Sequence, residues 1–216
     1  MKNLAAKKPR RPSSEELAVS RREEILDAAA RLFARHGYAE TDTQLLADEV
    51  GVGKGTLYRY FPSKRDLFLA AADRVMRHLR DVIDADIANI ADPLERIAAA
   101  IRSCLTFFVE HPEFVELLMQ ERAHFKDRKK PTYFENREAN IERWHEMYRG
   151  LIAAGRFRKM PVEQISDVLT DLVYGNMFTN YFAGQRKPPE EQAQDIMDVV
   201  FHGILSDAER RRRPSA

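Results

Sequence analysis

A single cysteine, Cys104, leaves the 216-residue chain without any possible intrachain disulfide, so a reducing compartment is the simplest setting. No apolar run approaches the roughly 18 residues needed to cross a bilayer, and no membrane partner is expected. The N-terminus, MKNLAAKKPRRPSSEE, is basic but has neither an apolar stretch nor a cleavage-like site. It does not read as a secretory signal, and the cytoplasm is the expected location. The histidines, at 36, 78, 111, 124, 145 and 202, show no HxxxH or HExxH spacing, and there is no second cysteine to build a zinc site. No glycine-rich phosphate loop follows a strand, and no nucleophile, base and orienting acid assemble. Neither an enzyme nor a cofactor is expected. Sustained strand alternation, internal repeats and long heptad runs are missing as well.

What remains is a helical pattern. The net charge of +1 is too small to announce a nucleic-acid binder, but its distribution is uneven. Residues 1–74 carry 14 Lys/Arg against 11 Asp/Glu, and the remainder 21 against 23, so the basic excess lies in the N-terminal third. KKPRRPSS buries nothing and reads as an arm. Ser20 and Glu23 have capping-box spacing and predict a helix that carries Ile25, Leu26, Ala29, Leu32 and Phe33 to a stop at Gly37. Thr41 and Gln44 predict a second cap, before a short helix with Leu45, Leu46 and Val50 inward. Gly51 closes it, and a third short helix spans about Val52–Tyr60. Pro62 breaks the chain, and Ser63 caps a long helix running from Lys64 through Leu67, Phe68, Ala71, Val75, Leu79 and Ile83. Asp92-Pro93-Leu94-Glu95 opens another, ending near Glu110 before His111-Pro112. Further helices are expected over about 113–122, 133–154, 161–184 and 189–209.

The fold class is therefore all-α, with about nine helices. The expected organisation is an arm over 1–19, a helix-turn-helix head over 20–66, a helical body over 67–209 and a basic tail over 210–216.

The segment TDTQLLADEVGVGKGTLYRYF (41–61) carries the functional reading. Two short helices meet at a tight turn, and the second presents Lys54, Thr56, Tyr58 and Tyr60 opposite its apolar face. A helix fits the major groove of B-DNA, and these side chains suit base edges and phosphates. Gly53 and Gly55 cost roughly 1 kcal/mol each inside a helix. Either they let backbone approach DNA closely, or they make a frayed helix. Residues 21–69, above all GVGKGTLYRYFPSKRDLF, resemble the DNA-binding head of the TetR family of bacterial transcriptional regulators. The resemblance implies that Gln44 touches a base or phosphate, that Lys54 and Thr56 face the groove, that Tyr58 and Tyr60 meet the sugar-phosphate backbone, and that Lys64 binds phosphate at a helix N-terminus. Where family members often carry a small residue followed by Ile-Ala, this chain has Leu45-Leu46-Ala47. Thr41 and Thr43 are candidate caps that can also meet phosphate. Lys7, Lys8, Arg10 and Arg11 either track the minor groove or form a loosely attracted tail.

One head makes few DNA contacts, whereas two on a two-fold axis read a palindrome, so a homodimer on a double-stranded operator is expected. Leu169, Leu172, Val173 and Asn176, with Val200, Ile204 and Leu205, are the candidate dimerisation residues, and the resemblance places an intersubunit four-helix bundle there. The body is rich in Phe107, Phe108, Met119, Phe125, Trp144, Tyr148, Met177, Phe178 and Tyr181. Such side chains build helix cores and also line ligand cavities. The resemblance implies a cavity for a small apolar or aromatic effector whose binding releases DNA. Cys104, Glu121, His124, Glu138, His145 and Asn176 are candidate polar groups in it. The two readings are a ligand-responsive repressor and, as the alternative, a constitutive DNA-binding regulator with a packed body.

Overall fold

The structure, a computed structural model, describes residues 13–184 and 187–203. Among the described residues there are nine α-helices and no strand.

Helix α1 (Ser14–Glu40) starts earlier than the sequence pattern suggests. Ser13 Oγ accepts from the Glu16 backbone N–H at 3.1 Å, and the Glu16 carboxylate accepts from the Ser13 N–H at 2.5 Å, a complete capping box. Residues 14–19, expected in the arm, are helical because they are solvated helix formers with nothing among them to break the turn. Glu23, expected in a cap at Ser20, pairs with Arg74 and Arg77 instead. The basic positions 7–11 and the tail lie outside the described residues. Gly37, at φ +84°, breaks the helical path of α1, as a residue without Cβ can.

The turn of the head is made by α2 (Thr43–Glu49) and α3 (Lys54–Tyr60). Asp42, not Thr41, caps α2, accepting from the Gln44 N–H at 2.8 Å. Thr41 is buried, and its hydroxyl donates to the Gly37 carbonyl at 2.6 Å. Gly51 at φ +68° turns the chain, and the Val52 N–H closes the bend on the Ala47 carbonyl at 2.9 Å. Leu46 and Ala47 are fully buried, whereas Leu45 is exposed. The buried stripe of α2 is Thr43, Leu46 and Ala47, at i, i+3 and i+4, and Leu45 falls outside it. Gly53 caps α3 from an extended conformation and does not lie within the helix.

From Ser63, which caps it, α4 (Lys64–Ile87) runs out of the head into the body. There follow α5 (Pro93–Glu110), α6 (Pro112–His124), α7 (Thr132–Ala153), α8 (Val162–Ala183) and α9 (Pro189–His202). Asp92 caps α5 with Pro93 in its first turn, as its four-residue signature predicts. Helix α1 packs on α4 and α6, α4 also packs on α5 and α7, and α5 meets α8 and α9. Helix α4 is thus common to head and body.

Two apolar clusters hold this arrangement. One is continuous from the head, through Leu26, Phe33, Leu46 and Leu57, into α4 and α6 and as far as Met177. The other joins α5, α7, α8 and α9 through Ile97, Leu105, Leu151, Ile165 and Ile196. Phe125, expected in a ligand cavity, sits in the first cluster. Its ring centroid lies 4.8 Å from that of Tyr38 and 5.3 Å from that of Phe68, and Phe68 is 5.0 Å from Phe33. Polar links cross the same joint: the Tyr38 N–H donates to Gln120 Oε1 at 2.8 Å, and Arg65 pairs with Asp127 at 2.5 Å. The head is packed onto α6 and is not tethered by α4 alone.

Candidate DNA interface and internal cavity

Helix α3 is two-faced. Leu57 is buried, while Lys54, Gly55, Tyr58 and Arg59 are exposed, with Thr56 and Tyr60 between. A Cβ placed at Gly53 or Gly55 would meet nothing within 4 Å, so no packing inside the chain demands glycine at either position. Neither has a positive φ. The bare backbone faces open space at the end of the helix where the first N–H groups lack intrahelical partners.

The polar side chains around this face engage one another. The hydroxyls of Tyr58 and Thr43 are 3.1 Å apart, tying α3 to α2, and Thr43 is buried. Gln44 donates to Asp48 at 2.8 Å, and Lys54 lies 3.7 Å from Asp42. The last pair is exposed and worth only about 0–1 kcal/mol, so a phosphate displaces it at little cost. Lys64 donates to the Ala39 carbonyl at 2.9 Å with its ammonium 5.0 Å above the Tyr38 ring, and Tyr60 packs partly against the core.

A cavity of about 200 Å³, open to solvent, lies among the helices of the body. Helix α4 contributes Met76, Leu79, Arg80 and Ile83; α5 contributes Ile97, Ala100, Ile101 and Cys104. From α7 come Tyr133, Asn136, Arg137, Asn140, Ile141, Arg143, Trp144 and Tyr148, and from α8 come Ser166, Leu169, Thr170 and Val173. Each set recurs at three- and four-residue spacing, one inward stripe per helix. Burial pushes the Tyr133 and Tyr148 phenols above their ordinary range, so both stay neutral near pH 7. Three arginines line the wall, each beside an aspartate outside the lining (Asp81, Asp167 and Asp84), and none of the described lining residues is acidic.

Of the side chains expected around a ligand, Trp144 and Tyr148 line this cavity, and so does Cys104. Phe107 and Phe108 are buried against each other, His78 and Phe114. Met177 is buried core, Phe178 stacks on Phe182 and meets Tyr174 edge to face, and the Tyr181 hydroxyl donates to Glu116 at 2.7 Å. Met119 is half-buried on α6, away from the cavity wall. The cavity forms where four helices diverge, whereas these side chains fill places where helices touch closely. Glu121 is buried but bonds Arg128 and Thr132; Glu138 pairs with Lys130; His124 packs on Tyr38. His145 lies beside Glu142, and Asn176 donates to the Leu172 carbonyl. The arginines, Asn136, Asn140 and Ser166 were missed, although the run Tyr133-Asn136-Asn140-Trp144 is legible as a helical stripe.

Leu169 and Val173, read from the sequence as subunit-facing, line the cavity. Leu172 and Val200 are half-buried against the second cluster, and Ile204 and Leu205 lie outside the described residues. The side chains left uncovered nearby are Val168 and Phe182 on α8 and Val199 and Phe201 on α9.

A helix-turn-helix head packed on a helical body with a pocket among its helices is the build of a DNA-binding transcriptional regulator. Residues 25–71 match the family model "Bacterial regulatory proteins, tetR family", and residues 91–204 match "Tetracyclin repressor-like, C-terminal domain". The chain belongs to the TetR family. It is 29% identical to the HTH-type transcriptional repressor KstR2 of Mycobacterium tuberculosis over 87% of this chain and 94% of that protein. Among solved structures, the regulator FadR from Bacillus subtilis in complex with stearoyl-CoA superposes with a TM-score of 0.68, at 18% identity, over 84% of this chain and 98% of the other. A regulator from Saccharomonospora viridis in complex with choline gives a TM-score of 0.66 at 25% identity, over 88% and 99%. Among the described residues, no helix is long and apolar enough to cross a membrane, and no group of three His, Cys, Asp or Glu could hold a metal ion.

Proposed function

We propose that this protein is a ligand-responsive repressor that binds a palindromic operator as a homodimer and is released by a small, mostly apolar effector in the body cavity. The observation that carries the proposal is the pairing of an outward α3 face, Lys54, Gly55 and Tyr58, with a cavity walled partly by α4. Gln44, Lys54 and Thr56 are assigned to base edges or nearby phosphates. Tyr58, Tyr60 and Lys64 position the head on the backbone, and the buried Thr43 acts only by holding the Tyr58 hydroxyl. Glycines 53 and 55 let the helix end come close. Helix α4 begins at the DNA side with Lys64 and reaches the cavity with Met76. A ligand that spreads its wall biases the head, because the two ends belong to one helix. The B. subtilis relative binds stearoyl-CoA, which supports a ligand with an apolar body. A cation such as the choline of the S. viridis relative suits this cavity poorly, since arginines line it and no acid does.

Selection of duplexes from a random pool tests the proposal. The expected product is a palindrome with half-sites about one helical turn apart. Lys54→Ala should weaken its binding by about 1–3 kcal/mol if the lysine reads a base, or reduce the salt slope by about 1 if it meets phosphate. No enrichment at low salt would overturn the DNA reading. A palindrome from which no compound releases the protein would favour the constitutive regulator.

A further inference from the structure

On the reading that the cavity is the effector site, the chemistry of its wall narrows what the effector can be. The space between its walls is small, about 200 Å³ against the several hundred typical of drug-sized sites. Its walls are mostly apolar, aliphatic and aromatic together, so the body of the ligand is apolar. The polar groups are concentrated where α7 meets α8, and there two of them lack partners. Ser166 is 3% exposed, and its hydroxyl has no hydrogen-bond partner, not even a backbone carbonyl one turn back. Arg137 pairs through one terminal nitrogen with Asp167, the residue next to Ser166, at 2.5 Å. Its Nε is buried without a partner. Buried donors normally find acceptors, so two of them on one wall mark the place of an acceptor that the chain itself does not supply. Arg143 is turned to Asp84 and covers the Trp144 ring at 5.4 Å, which takes that face away from any cationic guest.

We propose that the effector is a small carboxylate with an apolar tail, its carboxylate accepting from Arg137 Nε and Ser166 Oγ and its tail lying against Leu79, Ile101 and Val173. A guanidinium and a hydroxyl together match a carboxylate's two oxygens, and charge-assisted hydrogen bonds are the strong ones. The carboxylate competes with Asp167, which is largely exposed and holds Arg137 only through a screened contact. Helix α8 carries Ser166 and α7 carries Arg137, so the anion would clasp these two helices while the tail presses on α4.

Trp144 is the only tryptophan in the chain and it borders the cavity, so its emission reports occupancy directly. The full-length protein is titrated with octanoate, 1-octanol, octylamine and octanoyl-CoA, following Trp144 emission and thermal unfolding. Octanoate should bind at least tenfold more tightly than octanol, and octylamine most weakly. Arg137→Gln should abolish the preference for octanoate while leaving octanol binding intact, which also shows that the variant folds. Ser166→Ala should reduce the preference severalfold, and Asp167→Asn should raise it. Equal binding of octanoate and octanol overturns the carboxylate assignment and leaves the effector site standing. So does binding of octanoyl-CoA without octanoate, since a thioester is uncharged at the acyl end and its phosphates would sit elsewhere, for example on the surface depression lined by Arg122, Lys129 and Lys130. No response to any of the four overturns the effector site as well.

Discussion

At the residue scale, position and burial decide what a side chain does more than its type. Phe125 and Trp144 are both large aromatics in a helical body, yet one fastens the head and the other borders the cavity. Cys104 shows the same dependence. Cys104 is half-buried, and desolvation pushes its thiol up to about 12, so little of it is thiolate, the reactive form, at pH 8. The expectation is slow labelling by a thiol reagent in the native protein at pH 8, and fast labelling in urea, where the thiol returns to its ordinary range. An occupied cavity should slow the native reaction further. Rapid native labelling that no ligand slows would contradict both the burial and the place of Cys104 on the wall.

Among the elements, α5 depends on its cap. Asp92 accepts from the Leu94 N–H at 3.4 Å and from the Arg156 guanidinium, which follows α7. Arg156, chiefly through that hydrogen bond, holds the Asp92 carboxyl below the usual carboxylate range, with the Leu94 N–H adding to the effect. A carboxyl with a depressed folded pKa stabilises the fold above its unfolded pKa and loses that contribution as pH falls through the folded value. Stability should therefore begin to fall as pH drops through the ordinary carboxylate range and go on falling below it. Arg156→Gln should flatten this contribution, checked by urea unfolding between pH 3 and 7. An unchanged acid limb would show that the pair contributes nothing. Helix α3 is the opposite case: seven residues, no side-chain cap, and a position held by Leu57 and by the contact of Tyr58 with Thr43. It is too short to persist alone, and its burial on α1 and α2 supplies the order.

The whole molecule presents a surface that a single chain does not use. Phe182 is 68% exposed and Val168 is 47% exposed, on a face of α8 that also carries Gly175 and Thr179. This face, with Val199 and Phe201 of α9, is the proposed subunit contact, and it lies one step around α8 from the cavity-lining Leu169 and Val173. Val168→Asp combined with Phe182→Asp should leave the monomer folded, since both sites are open. It should convert a dimer to monomer in sedimentation at micromolar concentration, and weaken operator binding because two heads no longer act together. A dimer that survives the double substitution would move the interface elsewhere.

Helical class, the caps at Ser63 and Asp92, the turn at Gly51 and the outward character of Lys54 and Tyr58 were all present in the sequence, because each depends on neighbours within four residues. The start of α1 is ambiguous in the sequence for a local reason as well: two Ser-x-x-Glu signals lie seven residues apart, and only the partners of Glu23 in α4 distinguish them. Which aromatic faces the cavity, which stripe of α8 faces inward, and which polar groups of α7 and α8 line it depend on the angles at which α4, α5, α7 and α8 cross. Those angles are set by contacts between residues far apart in the chain, so periodicity along one helix can name its faces but not what each face will meet.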